Sequence, residues 1–368
     1  MMLPKLNKRE KTCLGLLGAG AAALLLSSDS VGEESESLLF NPDVKSPLRR
    51  ILAAPTEGIR GLNLVINGYD QSEEKILPEF YSGFKNVWDG IIEADTPVMW
   101  YVPKAGGNTI AKVLGKCLEM VTCSSMVNTV EDGLLPDDQI RVHYNETVGS
   151  FVNVDPSTPA GIQKAIGYDL IGQGVADILI THLLRDVAPL FETKKGRLFA
   201  MLRHPTKRIA DQFYYRQWAT WEPSFDSELA AMSIDDYAAS DRLIENFMVR
   251  SLVGKVSNDD VTSDDVALAK DILRRKFIIG IAEPTWFDRS VVRFEQYFGW
   301  WEDKGILLNK TTNYCHYQEI ENGNHFGNHP RLLQGSGAYN MITSRYWADI
   351  ELYMYAKNEL FQEQQALV

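Results

Sequence analysis

Residues 97–109 read Pro97-Val98-Met99-Trp100-Tyr101-Val102-Pro103-Lys104-Ala105-Gly106-Gly107-Asn108-Thr109. The run from Val98 to Val102 is short and apolar, the pattern of a buried strand, and Pro103 ends it. After the two glycines, Ile110, Val113, Leu114, Cys117, Leu118 and Val121 recur at helical spacing. Strand, glycine turn and helix together form a cradle for a phosphate-like anion. Glycines let backbone N–H groups close on the anion, the helix N-terminus adds its positive dipole end, and Lys104 adds a full charge. A glycine turn that merely joins a strand to a helix is the plainer reading of the same residues. The order excludes a Walker A loop, which places lysine after its second glycine as G-K-[ST].

Further along, apolar runs alternate with amphipathic segments. Ala176–Ile180 ends at Thr181-His182, Arg197–Leu202 ends at Arg203-His204-Pro205, and Phe277–Ile281 runs toward Glu283. Helical patterns cover 80–92, 161–171, 205–218, 234–253, 266–273, 287–298 and the C-terminal stretch, the last with Trp347, Ile350, Met354 and Phe361 on one face. Residues 303–342 read as loop. This alternation predicts an α/β fold with a mostly parallel sheet. Ligands in such folds sit at the carboxyl ends of the strands. Lys104, His182, Arg203 and Glu283 would therefore face one crevice.

The chain has 368 residues, 45% hydrophobic and 10% aromatic, enough for a sizeable core. Its formal net charge of −12 argues against general nucleic-acid binding, and fits a polyanionic acceptor only if a basic cleft overrides it. Lys5, Lys8, Arg9 and Lys11 precede an apolar run from Cys13 to Leu26, and Asp29, Glu33, Glu34 and Glu36 follow. Residues 1–28 are thus expected to be a signal peptide or an anchor with its N-terminus in the cytosol, and 29–60 a polar stem. Residues 61–368 form the domain, with a first strand at Leu62–Ile66. Of four cysteines, Cys117 and Cys123 either pair with each other or stay buried as free thiols. With no C-x-x-C pair and no ligand cluster, no metal is expected. Asn145-Glu146-Thr147 and Asn309-Lys310-Thr311 are glycosylation acceptors in a lumenal chain.

The 97–109 stretch resembles the P-K-[TS]-G-[GT]-[TS]-[TS] loop of sulfotransferases. Arg203-His204-Pro205, Arg208, Phe213 and Tyr214 resemble the second donor motif of the Golgi enzymes, and the 99-residue gap from Lys104 to Arg203 suits it. Asn246–Arg250, the strand ending before Glu283, and Asp349–Tyr353 are similar to three further segments. The resembled family is that of the carbohydrate sulfotransferases that includes heparan sulfate 2-O- and 6-O-sulfotransferases. It implies a three-layer, P-loop-like fold and transfer of a sulfuryl group from PAPS to a carbohydrate hydroxyl in the Golgi lumen. It also implies residue roles. Lys104, Ala105, Gly106, Gly107, Asn108 and Thr109 would hold the 5′-phosphosulfate and Arg203 the 3′-phosphate, with Lys104 also assisting transfer. His182 would be the general base, with His143 as runner-up and a structural strand-end histidine as the plainer alternative. His204 would cap the Arg203 turn. Tyr214, Tyr215, Trp218 and Trp221 could line a sugar or adenine face, or some of them could be core; His325, His329 and Arg331 could form a cofactor or acceptor loop, or a plain exposed one.

One departure stands out. The family places a serine eight residues after the motif arginine, and here that residue is Asp211. On a helix it would turn away and pair with Arg208 or Lys207. Alternatively it is protonated or salt-bridged beside the phosphate, or it weakens the site. Two rival functions follow: a binding module without turnover, and a P-loop kinase or NTPase.

Overall fold

A computed structural model describes residues 75–125, 139–220, 225–256, 259–300, 310–323 and 329–368. The N-terminal apolar run, the stem, Leu62–Ile66, Trp221, Asn309 and His325 lie outside the described residues. All described residues belong to one compact unit, Glu36–Val368.

Among the described residues seven strands form one sheet: β1 (Thr96–Trp100), β2 (Thr122–Cys123), β3 (Val142–Asn145), β4 (Gly149–Val152), β5 (Ile178–Thr181), β6 (Gly196–Leu202) and β7 (Phe277–Ile281). Their spatial order is β3-β4-β2-β5-β1-β6-β7. All neighbours run parallel except the β3–β4 hairpin, which is antiparallel. β5, β6 and β7 are buried along their whole length, so the centre of the sheet is covered on both faces. This α/β architecture is compatible with three layers.

The edge strand β7 is closed by side chains. Gln364 accepts from Ile279 N and donates to Phe277 O, and Ser290 Oγ accepts from Ile281 N. Its ladder groups are thus paired without another strand.

Strand order places the ligand end. From β1 the chain leaves toward β2 on one side, and from β6 it leaves toward β7 on the other. β1 and β6 are neighbours, in register from Thr96↔Gly196 to Trp100↔Ala200. A crevice opens outside the carboxyl ends of two adjacent strands whose connections diverge in this way. Lys104 follows β1 and Arg203 follows β6.

Several expectations fail, each for a visible reason. Residues 80–92 are not a helix: after a short 3-10 turn, Glu79–Gly83, the chain is extended at Phe84 and then turns, with Asp89 N bonded to Asn86 O. Lys85 N bonds Gly196 O and Val87 N bonds Arg275 O, so tertiary partners replace the i−4 carbonyls while Phe84 and Val87 still reach the core. Residues 303–342 hold two helices, Lys310–Gly323 and Gly337–Arg345. The 234–253 stretch divides into Ile234–Ala239 and Phe247–Val253, with Asn246 left-handed at φ 51°. The last helix buries Ala348, Asp349, Leu352 and Tyr353 rather than Trp347 and Met354, which are exposed. Asp349 explains that choice: its carboxylate accepts from Met248 N and Val249 N and lies 3.7 Å from Arg208 Nη2.

Cys117 pairs with Cys315, not with Cys123. Cys117 ends the helical run that follows the glycine turn and faces helix Lys310–Gly323, with Cα atoms 5.6 Å apart. Cys123 lies inside β2 as a fully buried free thiol, and burial pushes its ionisation far up.

Candidate functional site

The turn after β1 is held open by two left-handed residues. Lys104 has φ 60° and Gly106 has φ 83°. For lysine this conformation costs about 1–2 kcal/mol, so its surroundings must hold it there. Arg203 does so: its Nη1 donates to Lys104 O at 2.8 Å. The two basic residues, 99 positions apart, are thus joined by a direct hydrogen bond. Gly106 packs on the Phe287 ring, which leaves no room for a Cβ.

Helix Gly107–Lys112 continues without a break through a wider turn to Cys117. The N–H groups of Gly107, Asn108 and Thr109 open this helix and have no partner within it. No side chain caps it. These are donors of the kind a phosphate group uses.

Lys104, Gly106, Gly107, Asn108, Thr109, Arg203 and Asp211 line one cleft of about 880 Å³. Ala105 is buried beneath the turn. The expected donor residues from two distant motifs therefore converge. Tyr101, Tyr214, Tyr215, Gln217, Trp218, Gly323, His329 and Pro330 complete the walls. Lys104 Nζ stands 3.0 Å from the Tyr215 ring centroid, a cation–π contact. Tyr101 Oη donates to Asn108 Oδ1 at 3.1 Å.

Helix Pro205–Trp218 carries the second motif. His204 caps it, its Nδ1 accepting from Thr206 N at 3.3 Å, and Pro205 opens it where no N–H is needed. Asp211 does not pair with Arg208 or Lys207 as expected. Arg208 is buried against Asp349, and Lys207 reaches Glu283 at 3.6 Å. Each has a better carboxylate than Asp211, which faces the cleft. There Asp211 forms an ion pair with Arg203 and accepts from His329 Nε2 at 2.9 Å. Of the expected alternatives, the salt bridge is the one the structure adopts, with Arg203 as its partner.

Glu283 accepts from Tyr353 Oη and from Lys357 Nζ. Burial opposes its ionisation, but Tyr353, Lys207 and Lys357 outweigh that and hold its carboxyl below the ordinary range. It is anchored on the far side of β6 and does not line the cleft.

His182 follows β5, on the opposite side of β1 from Arg203. Trp100 pairs with Thr181, and Tyr101 N donates to Thr181 O, so His182 is level with the start of the Lys104 turn. It borders the turn from the β5 side and does not line the cleft. Burial lowers its proton affinity below the usual histidine range, and Asp155 and Asp186 oppose this without reversing it. Its ring makes no hydrogen bond among the described residues. His143 is elsewhere: it sits on edge strand β3, stacked on Phe151. The register His143↔Phe151, Phe151↔Thr122, Thr122↔Ile178 brings it level with the entry of β1, four strands away. At strand spacing that is about 19 Å across the sheet.

His329, read with His325 and Arg331 as either a cofactor or acceptor loop or a plain polar loop, is a wall residue; Tyr101 and Gly323 were not read as wall residues. Tyr101 sits at the strand's exit, a position that could have flagged it. Gly323 ends a helix with little amphipathic pattern, and Asn322-Gly323 was its one stop signal. Gly323 lies against Thr109 so closely that a side chain there would collide with it. Compared with models of known protein families and with curated proteins, the chain matches none.

Proposed function

We propose that this chain is a PAPS-dependent sulfotransferase of the secretory pathway, with a P-loop-like donor site and a carbohydrate hydroxyl as acceptor. One observation carries the reading: the Lys104 turn and Arg203 are hydrogen-bonded to each other where the connections of β1 and β6 diverge. The donor set fits a nucleotide carrying two separate phosphate groups. The N–H groups of Gly107, Asn108 and Thr109, with Lys104, would hold the 5′-phosphosulfate. Arg203 would hold the 3′-phosphate, its planar fork suited to phosphate oxygens. Tyr214, Tyr215 and Trp218 offer flat faces to a base or a sugar ring.

When bound, PAPS supplies the sulfuryl group and leaves as PAP. Lys104 and the turn's N–H groups stand where negative charge would gather on the departing phosphate, the kind of preorganised stabilisation that carries group transfer. His182 is the general base that takes the acceptor's hydroxyl proton. A buried imidazole held below its ordinary range is neutral near pH 7 and ready to accept it. Acceptor entry from the β5 side, opposite Arg203, is consistent with its position.

The Cys117–Cys315 disulfide favours an oxidising compartment. Asn145 lies at the β3–β4 turn, where a glycan can be attached. Both support a lumenal domain behind the N-terminal apolar segment, in a single-pass Golgi protein or a secreted one. A second reading, a sulfotransferase-fold module that binds without turnover, is favoured by the ion pair already occupying Arg203.

Calorimetry of PAP against ATP, followed by labelled-sulfate transfer over a glycan panel, tests both. PAP binding with transfer is the expected result. PAP binding without transfer selects the module, and ATP binding in preference to PAP overturns the donor assignment.

A further inference from the structure

Arg203, Asp211 and His329 form a three-member chain of charge and hydrogen bonding across the cleft. The Arg203 and Asp211 side chains are only 6% and 16% exposed, so neither charge is easily left to water. A buried ion loses heavily if its partner goes and nothing replaces it. An incoming phosphate can replace Asp211 at Arg203, but it strands the carboxylate beside a second negative group. His329 answers that problem. Its Nε2 is 2.9 Å from Asp211 Oδ1, and its Nδ1 is 3.0 Å from Pro330 O. The ring stacks on Tyr214 at 4.5 Å between centroids, which fixes its plane. Asp211 therefore has a second, preformed partner on a different segment of the chain.

We propose that Asp211 is a built-in stand-in for the nucleotide's 3′-phosphate. In the free protein it holds Arg203, and when a 3′-phosphate binds Arg203 the carboxylate passes wholly to His329. This rests on the PAPS reading above and adds a specificity rule to it. Only a ligand with a 3′-phosphate can open the Arg203–Asp211 pair. A nucleotide with a free 3′-hydroxyl leaves the pair closed and at best donates that hydroxyl to Asp211, as ribose hydroxyls do to carboxylates. His329 is a positioning residue in this scheme: it touches Asp211, not the phosphate.

Calorimetry with PAP and with ADP on the wild type, Asp211→Asn, His329→Ala and the double variant reads the exchange directly. His329→Ala is expected to weaken PAP by about tenfold, the range of a hydrogen bond to a charged group, and to leave ADP unchanged. In the Asp211→Asn background the same change costs nothing, because no carboxylate needs a new partner. His329→Gln, which keeps a nitrogen donor, recovers part of the loss. Equal PAP affinity with and without His329, or an equal loss in the Asp211→Asn background, overturns the exchange while leaving PAP as the ligand. Failure of PAP to bind folded wild type, folding being checked by circular dichroism, overturns the donor reading and the exchange together.

Discussion

Strand β6 has an arginine at each end, and the two are in opposite situations. Arg197, at the entry, is 1% exposed, and all three of its guanidinium nitrogens are used. They donate to Asp95, to the carbonyls of Asn86, Asp89 and Gly90, and to Tyr297 Oη. Arg203, at the exit, is also buried, but its partners are the carbonyl of a strained turn and a carboxylate that has another partner waiting. Burial alone does not separate the two arginines. Their partners do: Arg197 is held by three main-chain carbonyls together with Asp95 and Tyr297, whereas the carboxylate on Arg203 also bonds His329 and, on the exchange proposed above, can leave.

The largest expected effect falls on the structural member. Arg197→Ala leaves Asp95 buried without its cation, and should destabilise the fold by about 3–5 kcal/mol in a urea titration. Loss of under 1 kcal/mol, or weakened PAP affinity in the folded variant, would erase the contrast between the two ends. Next comes His182→Ala, which should cut transfer by about 10²–10⁴-fold and spare PAP binding. Its pH profile carries a sign. Burial lowers the His182 value below 6.5, so the base form, and with it transfer, persists above that depressed value and is lost as pH falls through it. A bend that stays where it is in His182→Ala would exclude His182 as the titrating group.

Arg203→Ala and Lys104→Ala come third, each weakening PAP by about 1.5–3 kcal/mol with the fold intact. Unchanged PAP affinity in both would place the exit arginine in the same class as Arg197. The smallest effect belongs to Asp211→Ser, which restores the residue usual in the resembled enzymes. It should tighten PAP by less than about tenfold, because His329 already accommodates the carboxylate. A hundredfold gain, or transfer that appears only in this variant, would mean the native site is compromised and would favour the binding module.

The parallel core was legible because its strands are short apolar runs ending in polar residues, and those ends carry the cleft. Lys104 and Arg203 could be placed near the strand ends from local pattern, since Arg203 directly follows β6 and Lys104 lies in the turn just beyond β1. The partner of Asp211 could not. Helical spacing favours Arg208 or Lys207, but both are claimed by carboxylates, Asp349 and Glu283, that lie 141 and 76 positions further along the chain. Residues 80–92 misled for a related reason: apolar residues at helical spacing also serve a non-helical chain whose amides bond to Gly196 and Arg275. The Cys117–Cys315 pairing was invisible because helix Lys310–Gly323 lacks a strong apolar stripe, and nearness in sequence pointed to Cys123 instead.

That disulfide has a mechanical consequence. It closes a covalent ring spanning 198 residues, and the ring contains β2 through β7. β1, which leads into the Lys104 turn, is outside the ring, yet it lies in the sheet between two strands of it, β5 and β6. Closing so long a loop restricts the unfolded chain by about 5 kcal/mol in the chain-entropy model. Under tension applied at the two ends, the oxidised chain withholds the length of the ring, about 650–700 Å at full extension, until the bond is reduced. Force spectroscopy with and without reductant would read that difference as a change in contour length.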